Sequence, residues 1–176
     1  MGEIKKIGPV KLIMGFLYGD ACILDEAMKS LSRSFGKIDY RSSQLDFSYT
    51  TYYREEMGDG LKRSFVSFER LIDSGSAYKT KLETNIMEKK LSENGKRRIN
   101  IDPGYIDMAK LVLFSTKDYV HRVSVGSGIF AEVTLFYKDG RYNPWPWTYP
   151  DYKTEEYSGI FDSVREIYRN RMVKCT

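Results

Sequence analysis

A chain of 176 residues, 41% apolar and 30% charged, has the make-up of one ordinary soluble globular domain spanning residues 1–176, long enough to bury its own core without a disulfide or metal staple. Its 28 basic and 24 acidic side chains leave a net charge of +4, which permits anionic partners without demanding them, since dedicated nucleic-acid modules concentrate basic charge more strongly. The two cysteines, Cys22 and Cys175, have no metal-ligand neighbours; this excludes a zinc site and fits free thiols in a reducing cytoplasm.

Lys5-Lys6 precede an apolar run from Val10 to Tyr18. Lys11 interrupts the run, it is too short to span a bilayer, and no small-residue cleavage pattern follows, so it is expected to be a buried first strand of a cytoplasmic protein, with no membrane partner. Asp20 is placed to cap a helix carrying Ile23, Leu24, Ala27, Met28, Leu31 and Phe35, with Gly36 at its end. A turn is expected near Lys37–Asp39, and Leu45, Phe47 and Tyr49 alternate with polar residues as a second strand. Tyr52, Tyr53, Glu55 and Glu56 lie in a polar, aromatic connection, either paired carboxylates for acid–base work or a solvated loop.

Leu61, Phe65, Phe68 and Ile72 have helical spacing, yet Ser64–Phe68 has the composition of a strand. A strand is the better reading, because Ser74-Gly75-Ser76 can open a helix from Ala77 to Ser92 that Asn94-Gly95 closes. Ile99 and Ile101 then alternate with Arg98, Asn100 and Asp102 until Pro103-Gly104, which is expected to end that strand. The order through Ile101 (strand, helix, strand, strand, helix, strand) is that of a ferredoxin-like unit. Leu111–Phe114 reads as a central strand covered on both faces. Tyr119–Val125 and Ile129–Tyr137 form a hairpin about Gly126-Ser127-Gly128, in the register that opposes Val125 to Ile129, Val123 to Ala131 and Arg122 to Glu132. Residues 143–152, NPWPWTYPDY, make a proline-rich strap, and Tyr157 to Met172 a final amphipathic helix. The fold class is α+β with a mainly antiparallel sheet.

The strings VKLIMGF, TYYREEMG, RSFVSFERLID, RINIDPGYI, AKLVLFSTKD, HRVSVGSGIFAEVTL and PWTYPDY cover nearly the whole chain. Together they resemble a prokaryotic family known as domain of unknown function 4416, some of whose members are labelled GTP-binding. The resemblance implies no established activity. The residues do not support conventional GTPase chemistry: GxxxxGK[ST] is absent, and Thr116-Lys117-Asp118 lacks the residue that a guanine-reading motif carries between Lys and Asp.

Three polar side chains on one strand face, Arg98, Asn100 and Asp102, are the foremost site candidates, since a covered face does not tolerate unpaired polar groups. An open face, or bonds to neighbouring segments, would explain them as well. Arg122 and Glu132 are either a structural pair or an anion-binding cation with its proton acceptor. His121, the only histidine, is expected on the apolar side of its strand, where a satisfied core histidine is the commoner case. The leading expectation is a pocket near the Ile101–Lys110 loop that binds a small anionic ligand, phosphorylated or a nucleotide. Arg98, Lys110 and Arg122 would supply charge, Asn100 and Trp147 further contacts, and Asp102, Glu132 or His121 would carry protons in any catalysis. No metal site is expected, and the cofactor and oligomeric state stay open. The alternative is a non-catalytic module binding RNA, through Lys89, Lys90, Lys96, Arg97 and Arg98, or a protein, through the aromatic surface of Trp145 and Trp147; the aromatic string of RNA-binding ferredoxin-like sheets is absent.

Overall fold

The apolar run at the start of the chain becomes the strand around which everything else packs. In the computed structural model, which describes residues 2–3 and 7–174, β1 (Val10–Tyr18) is buried along its whole length. Cys175, Lys5 and Lys6 lie outside the described residues. Successive side chains of a strand face opposite ways, so a run that is apolar throughout needs cover on both sides. Leu12, Met14, Phe16 and Tyr18 meet α1 (Ala21–Phe35), whose buried stripe is the predicted set from Ile23 to Phe35. Ile13 faces α4 (Glu155–Lys174) through Phe161 and Val164. The one polar side chain facing into this strand's surroundings, Lys11, is bonded by the Asp39 carboxylate and the Phe68 carbonyl. Burial pulls its ammonium below the usual lysine value, against the pull of Asp39.

The remaining strands are β2 (Ile38–Arg41), β3 (Leu45–Asp46), β4 (Lys62–Ile72), β5 (Ile99–Ile106), β6 (Lys110–Ser115), β7 (Val123–Gly126), β8 (Ile129–Lys138) and β9 (Arg141–Pro144). All pair antiparallel, in the order β2-β4-β1-β5-β6-β8-β7, with β3 beside β4 and β9 beside β8. A one-turn helix, α2 (Arg54–Met57), lies between β3 and β4, and α3 (Lys79–Lys90) between β4 and β5. Met87 of α3 joins the α1 side of the core, so both crossover helices lie on one face, and α4 covers the other. The choice of strand over helix at Ser64–Phe68 holds: it is the middle of β4.

Four local expectations are corrected. Lys37–Asp39 is no turn, because Ile38 opens β2 against Phe68. The strand expected to run from Leu45 to Tyr49 stops at Asp46, whose partner Lys62 is the first residue of β4, and a single further backbone bond, from the Phe47 N–H to the Leu61 carbonyl at 3.0 Å, follows it. Tyr119–Arg122 is a turn rather than part of β7, with the Arg122 N–H donating to the Tyr119 carbonyl at 2.9 Å. Finally, the hairpin closes with two residues, Ser127 and Gly128, both at positive φ (54° and 72°), as tight hairpins require. A bulge between Ser124 and Gly126 restores parity, so Val123 still opposes Ala131 as expected, while Gly126 instead of Val125 opposes Ile129.

The fifth difference positions the site. Pro103-Gly104 does not end β5, which continues to Ile106. Pro103 pairs with Met14 of β1 on one side, and the ladder to β6 on the other side begins only at Gly104, so proline sits where the sheet is already open. Gly104 is required for another reason: a Cβ there would lie 2.1 Å from the Val112 carbonyl oxygen and 2.7 Å from Leu113 Cδ2. Gly104→Ala should therefore destabilise the protein by about 3 kcal/mol or more in urea unfolding. Gly159→Ala in α4, where nothing lies within 4 Å of the added methyl, should stabilise it by about 0.5–1 kcal/mol.

Candidate functional site

β5 and β6 pair at only three positions, Gly104↔Leu113, Tyr105↔Val112 and Ile106↔Leu111, and then part. Between the separated ends lies a cavity of about 370 Å³, within the range of small-molecule sites. One wall is β5 and β4, through Asn100, Asp102 and Arg63; another is α3, through Lys81, Asn85 and Glu88. The end of β6 and the turn after it, from Leu113 to Lys117, close the third side, and the mouth is ringed by Tyr49, Tyr52, Tyr53, Tyr119 and Tyr149.

A strand that loses its neighbour exposes backbone donors and acceptors that must be met. At Ile101 two buried side chains of α3 do this. Lys81 Nζ donates to the Ile101 carbonyl at 2.7 Å, and Glu88 Oε1 accepts from the Ile101 N–H at 2.9 Å. The pair stands two helical turns apart on the face that also buries Thr80 and Thr84, which explains why α3 hides polar groups while Ile86 is exposed. Of the apolar side chains one turn apart on this helix, Leu82 is half-buried against the cluster of Ala77, Val112 and Phe114, and Ile86 is exposed. Burial raises the Glu88 carboxyl above the usual range, although Lys81 opposes it.

The cavity floor is a second charge network. Arg63, nearly inaccessible, donates to Asp102 at 3.0 Å and to Asp151 at 3.2 Å, with its guanidinium 5.1 Å from the Phe47 ring centroid. Asn100 donates to Asp102 at 2.8 Å and accepts from Arg97 at 3.0 Å. Burial works against ionisation of Asp102, but Arg63 and Lys81 override it and hold the carboxyl below the usual range. At Asp151 burial wins over Arg63 and the carboxyl moves up. Arg97 grips Glu56 at 2.8 and 2.6 Å, and those bonds keep the Glu56 carboxyl low.

Behind the β6 side, Glu132 is buried and accepts from Arg122 Nε at 2.7 Å and Thr134 Oγ1 at 3.1 Å, with His121 Nε2 at 3.2 Å from the oxygen that Arg122 holds. The remaining Arg122 donors reach Ser115 Oγ (3.0 Å), the Lys117 carbonyl (2.8 Å) and the Tyr149 hydroxyl (2.7 Å). Two of these bonds, to Ser115 and to the Lys117 carbonyl, fix the turn that carries Lys117. His121 does not face an apolar side; it is stacked between Tyr119 and Trp147 at centroid distances of 5.9 and 5.8 Å.

Of the residues singled out by sequence, Asn100, Asp102, Arg122 and Glu132 converge on the cavity. His121 touches it through Glu132, and Trp147 stacks outside on His121. Arg98 points away to Asp20 and Glu93, at 3.1 and 3.7 Å. Lys110 is bound to Asp107 at 2.8 Å, at the paired end of β6, and residues 101–110 are strand and tight turn in place of the expected pocket loop. Sequence reasoning missed Arg63, Lys81, Glu88 and Asp151 as site groups. Lys81 and Glu88 had a readable signal, their seven-residue spacing on a helix; Arg63 and Asp151 had none short of the tertiary fold. Lys89, Lys90 and Lys96 are exposed and do not line the cavity.

The family model described as Domain of unknown function (DUF4416) matches residues 8–168, which takes in all the strands named above and most of α4. The chain belongs to the DUF4416 family. No curated protein and no solved structure matches it. Among the described residues of this DUF4416 protein no cluster of His, Cys, Asp and Glu is placed to hold a metal ion, and no helix is long and apolar enough to cross a membrane.

Arg63→Met leaves two carboxylates in the floor without their cation, and should cost about 3–5 kcal/mol in chemical denaturation; adding Asp102→Asn and Asp151→Asn should recover much of that. Because folding lowers the Asp102 pKa, its ionised form stabilises the protein above the ordinary carboxylate range, and that contribution is lost as pH falls through the lowered folded value. Stability curves of wild type and Asp102→Asn should thus lie apart at neutral pH and converge only in acid.

Proposed function

We propose that the cavity between β5 and β6 binds a small anionic ligand carrying a flat ring, a nucleotide or phosphorylated ring compound being the fitting class. The observation that carries this reading is the state of Lys117. Arg63, Lys81, Arg97 and Arg122 each have a carboxylate partner. Lys117 is exposed and, among the described residues, has no carboxylate within ion-pair distance; its Nζ donates to the Tyr52 hydroxyl at 2.8 Å. An ammonium without an ion-pair partner, at the mouth of a cavity whose other cations each hold a carboxylate, favours an anion there, with Glu56 acting on it only from beyond ion-pair distance. The tyrosines around it offer faces for a ring, each such stacking contact contributing about 1–3 kcal/mol.

The same proposal takes the β1–β5 half as a ferredoxin-like unit, which the strand order β2-β4-β1-β5 and the two helices on one face support. It takes the protein as cytoplasmic, in keeping with the free, exposed Cys22. RNA binding is the weaker reading, because the exposed lysines Lys89 and Lys90 at the end of α3 and Lys96 beyond it do not line the cavity that the tyrosines ring. Whether a reaction follows binding is a separate matter, and Asp102 is the carboxylate with a hold on both the floor and the cavity.

Thermal unfolding with a panel of nucleoside monophosphates, nucleoside diphosphates and sugar phosphates tests the reading. A ligand at a hundredfold over its Kd should add about 2.7 kcal/mol of stability. Lys117→Met should weaken that ligand about tenfold or more, since a hydrogen bond to a charged group contributes roughly 1.5–3 kcal/mol. A panel without effect, or equal binding by Lys117→Met, contradicts it.

A further inference from the structure

We infer that Tyr52 and Lys117 form a reactive phenol–ammonium couple at the mouth of the cavity, in which the Tyr52 oxygen is the group that takes a proton from the bound ligand. The inference rests on the ligand reading above for its substrate and on separate geometry for its chemistry. The Lys117 ammonium is aimed at the phenol oxygen, donating to it at 2.8 Å while lying 4.1 Å from the ring centroid. A charged donor on a phenol oxygen stabilises the phenolate over the phenol.

Both members are held from their backbones. The Tyr52 N–H donates to Thr50 Oγ1 at 3.1 Å, and its ring meets Tyr53 edge-on at 5.0 Å. The Lys117 N–H donates to Ser115 Oγ at 3.1 Å, and its carbonyl is held by Arg122, itself fixed by Glu132. The couple thus bridges the cavity mouth between the segment before α2 and the turn after β6.

Tyr149 provides the contrast. Its hydroxyl also accepts from a cation, Arg122, but Glu132 offsets that charge and burial pushes the phenol up. Tyr53 and Tyr152 are raised by burial as well. Tyr52 goes the other way: its hydrogen bond and charge interaction with Lys117 lower it, Arg97 adds to that, and Glu56 and slight burial oppose. Opposed shifts within one cavity are how acid–base roles are divided.

In the step itself, a hydroxyl or ring N–H of the anionic ligand loses its proton to the phenolate. The X–H bond breaks, its electron pair stays on the ligand, an O–H bond forms on Tyr52, and Lys117 keeps all its protons. The reverse step returns the proton, and nothing is oxidised or reduced.

The test is labelling of the whole chain at neutral pH with an aryl sulfonyl fluoride, a reagent that captures phenolates, followed by peptide mapping. Tyr49 and Tyr119, 44% and 54% exposed against 59% for Tyr52, serve as internal standards without a lysine on the oxygen. Tyr52 should be labelled severalfold faster than either, and Lys117→Met should bring it down to their rate while circular dichroism stays unchanged. Labelling of Tyr52 no faster than Tyr49 and Tyr119, or a rate indifferent to Lys117→Met, overturns the couple. Adenosine monophosphate and inorganic phosphate separate the two ideas. Slow labelling overturns the couple even where these compounds protect the mouth; fast, Lys117-dependent labelling that neither slows keeps the couple and removes the ligand reading.

Discussion

The protein depends on one departure from regular structure, the parting of β5 from β6 after three residue pairs. An antiparallel sheet gains from every ladder bond it completes, and a strand edge left open inside a protein costs the full desolvation of its backbone groups. Here the missing strand is replaced by side chains. Lys81 and Glu88 meet the carbonyl and N–H of Ile101 as a neighbouring strand would, so the sheet can divide there without orphaning those two groups. A buried ion pair is a weak source of stability in itself. Its presence on a helix face that ordinary packing would fill with leucine is best understood through what it keeps open.

From that opening the other features follow in sequence. Asn100 and Asp102, on the β5 face away from α1, look into the gap, and Arg63 on β4 ties Asp102 to Asp151 of the strap, closing the floor. On the far side Glu132 orders Arg122, and Arg122 orders the turn that presents Lys117. Every cation lining the cavity except Lys117 meets a carboxylate. The cavity is therefore polar and aromatic, with an ammonium at the rim that holds the Tyr52 hydroxyl and has no carboxylate within ion-pair distance among the described residues.

What the sequence made legible was whatever local periodicity decides. β1 reads as a buried strand because it is apolar at every position but Lys11 and Gly15, and α1 reads from Asp20 to Gly36 because stripe and boundary residues agree. Asn100 with Asp102 and Arg122 with Glu132 were legible as polar groups on strands or near them, and they do meet. The cavity was not, because its walls are joined over long separations: Arg63 to Asp102 spans 39 residues and Arg63 to Asp151 spans 88. Pro103-Gly104 misled for a physical reason. The same two residues that usually stop a strand here let it continue where a neighbour departs on one side and where its backbone must approach Val112 closely on the other.

Lys117 shows the limit from the other direction. Its string, Thr116-Lys117-Asp118, has the look of a defective guanine-reading motif, and sequence logic set it aside with that motif. Its standing in the structure comes instead from Tyr52, 65 residues away, and from lacking the carboxylate that the other cations around the cavity possess.

Native-state hydrogen exchange at the Ile101 amide tests the central claim most directly, comparing wild type with Glu88→Ala and using the Ile106 amide in the paired half of β5 as reference. If Glu88 stands in for the absent strand, Ile101 is protected in wild type and loses that protection in the variant, while Ile106 keeps its own. Equal protection of Ile101 in both proteins would mean that its N–H is bonded across an unbroken β5–β6 ladder, and the cavity would not exist.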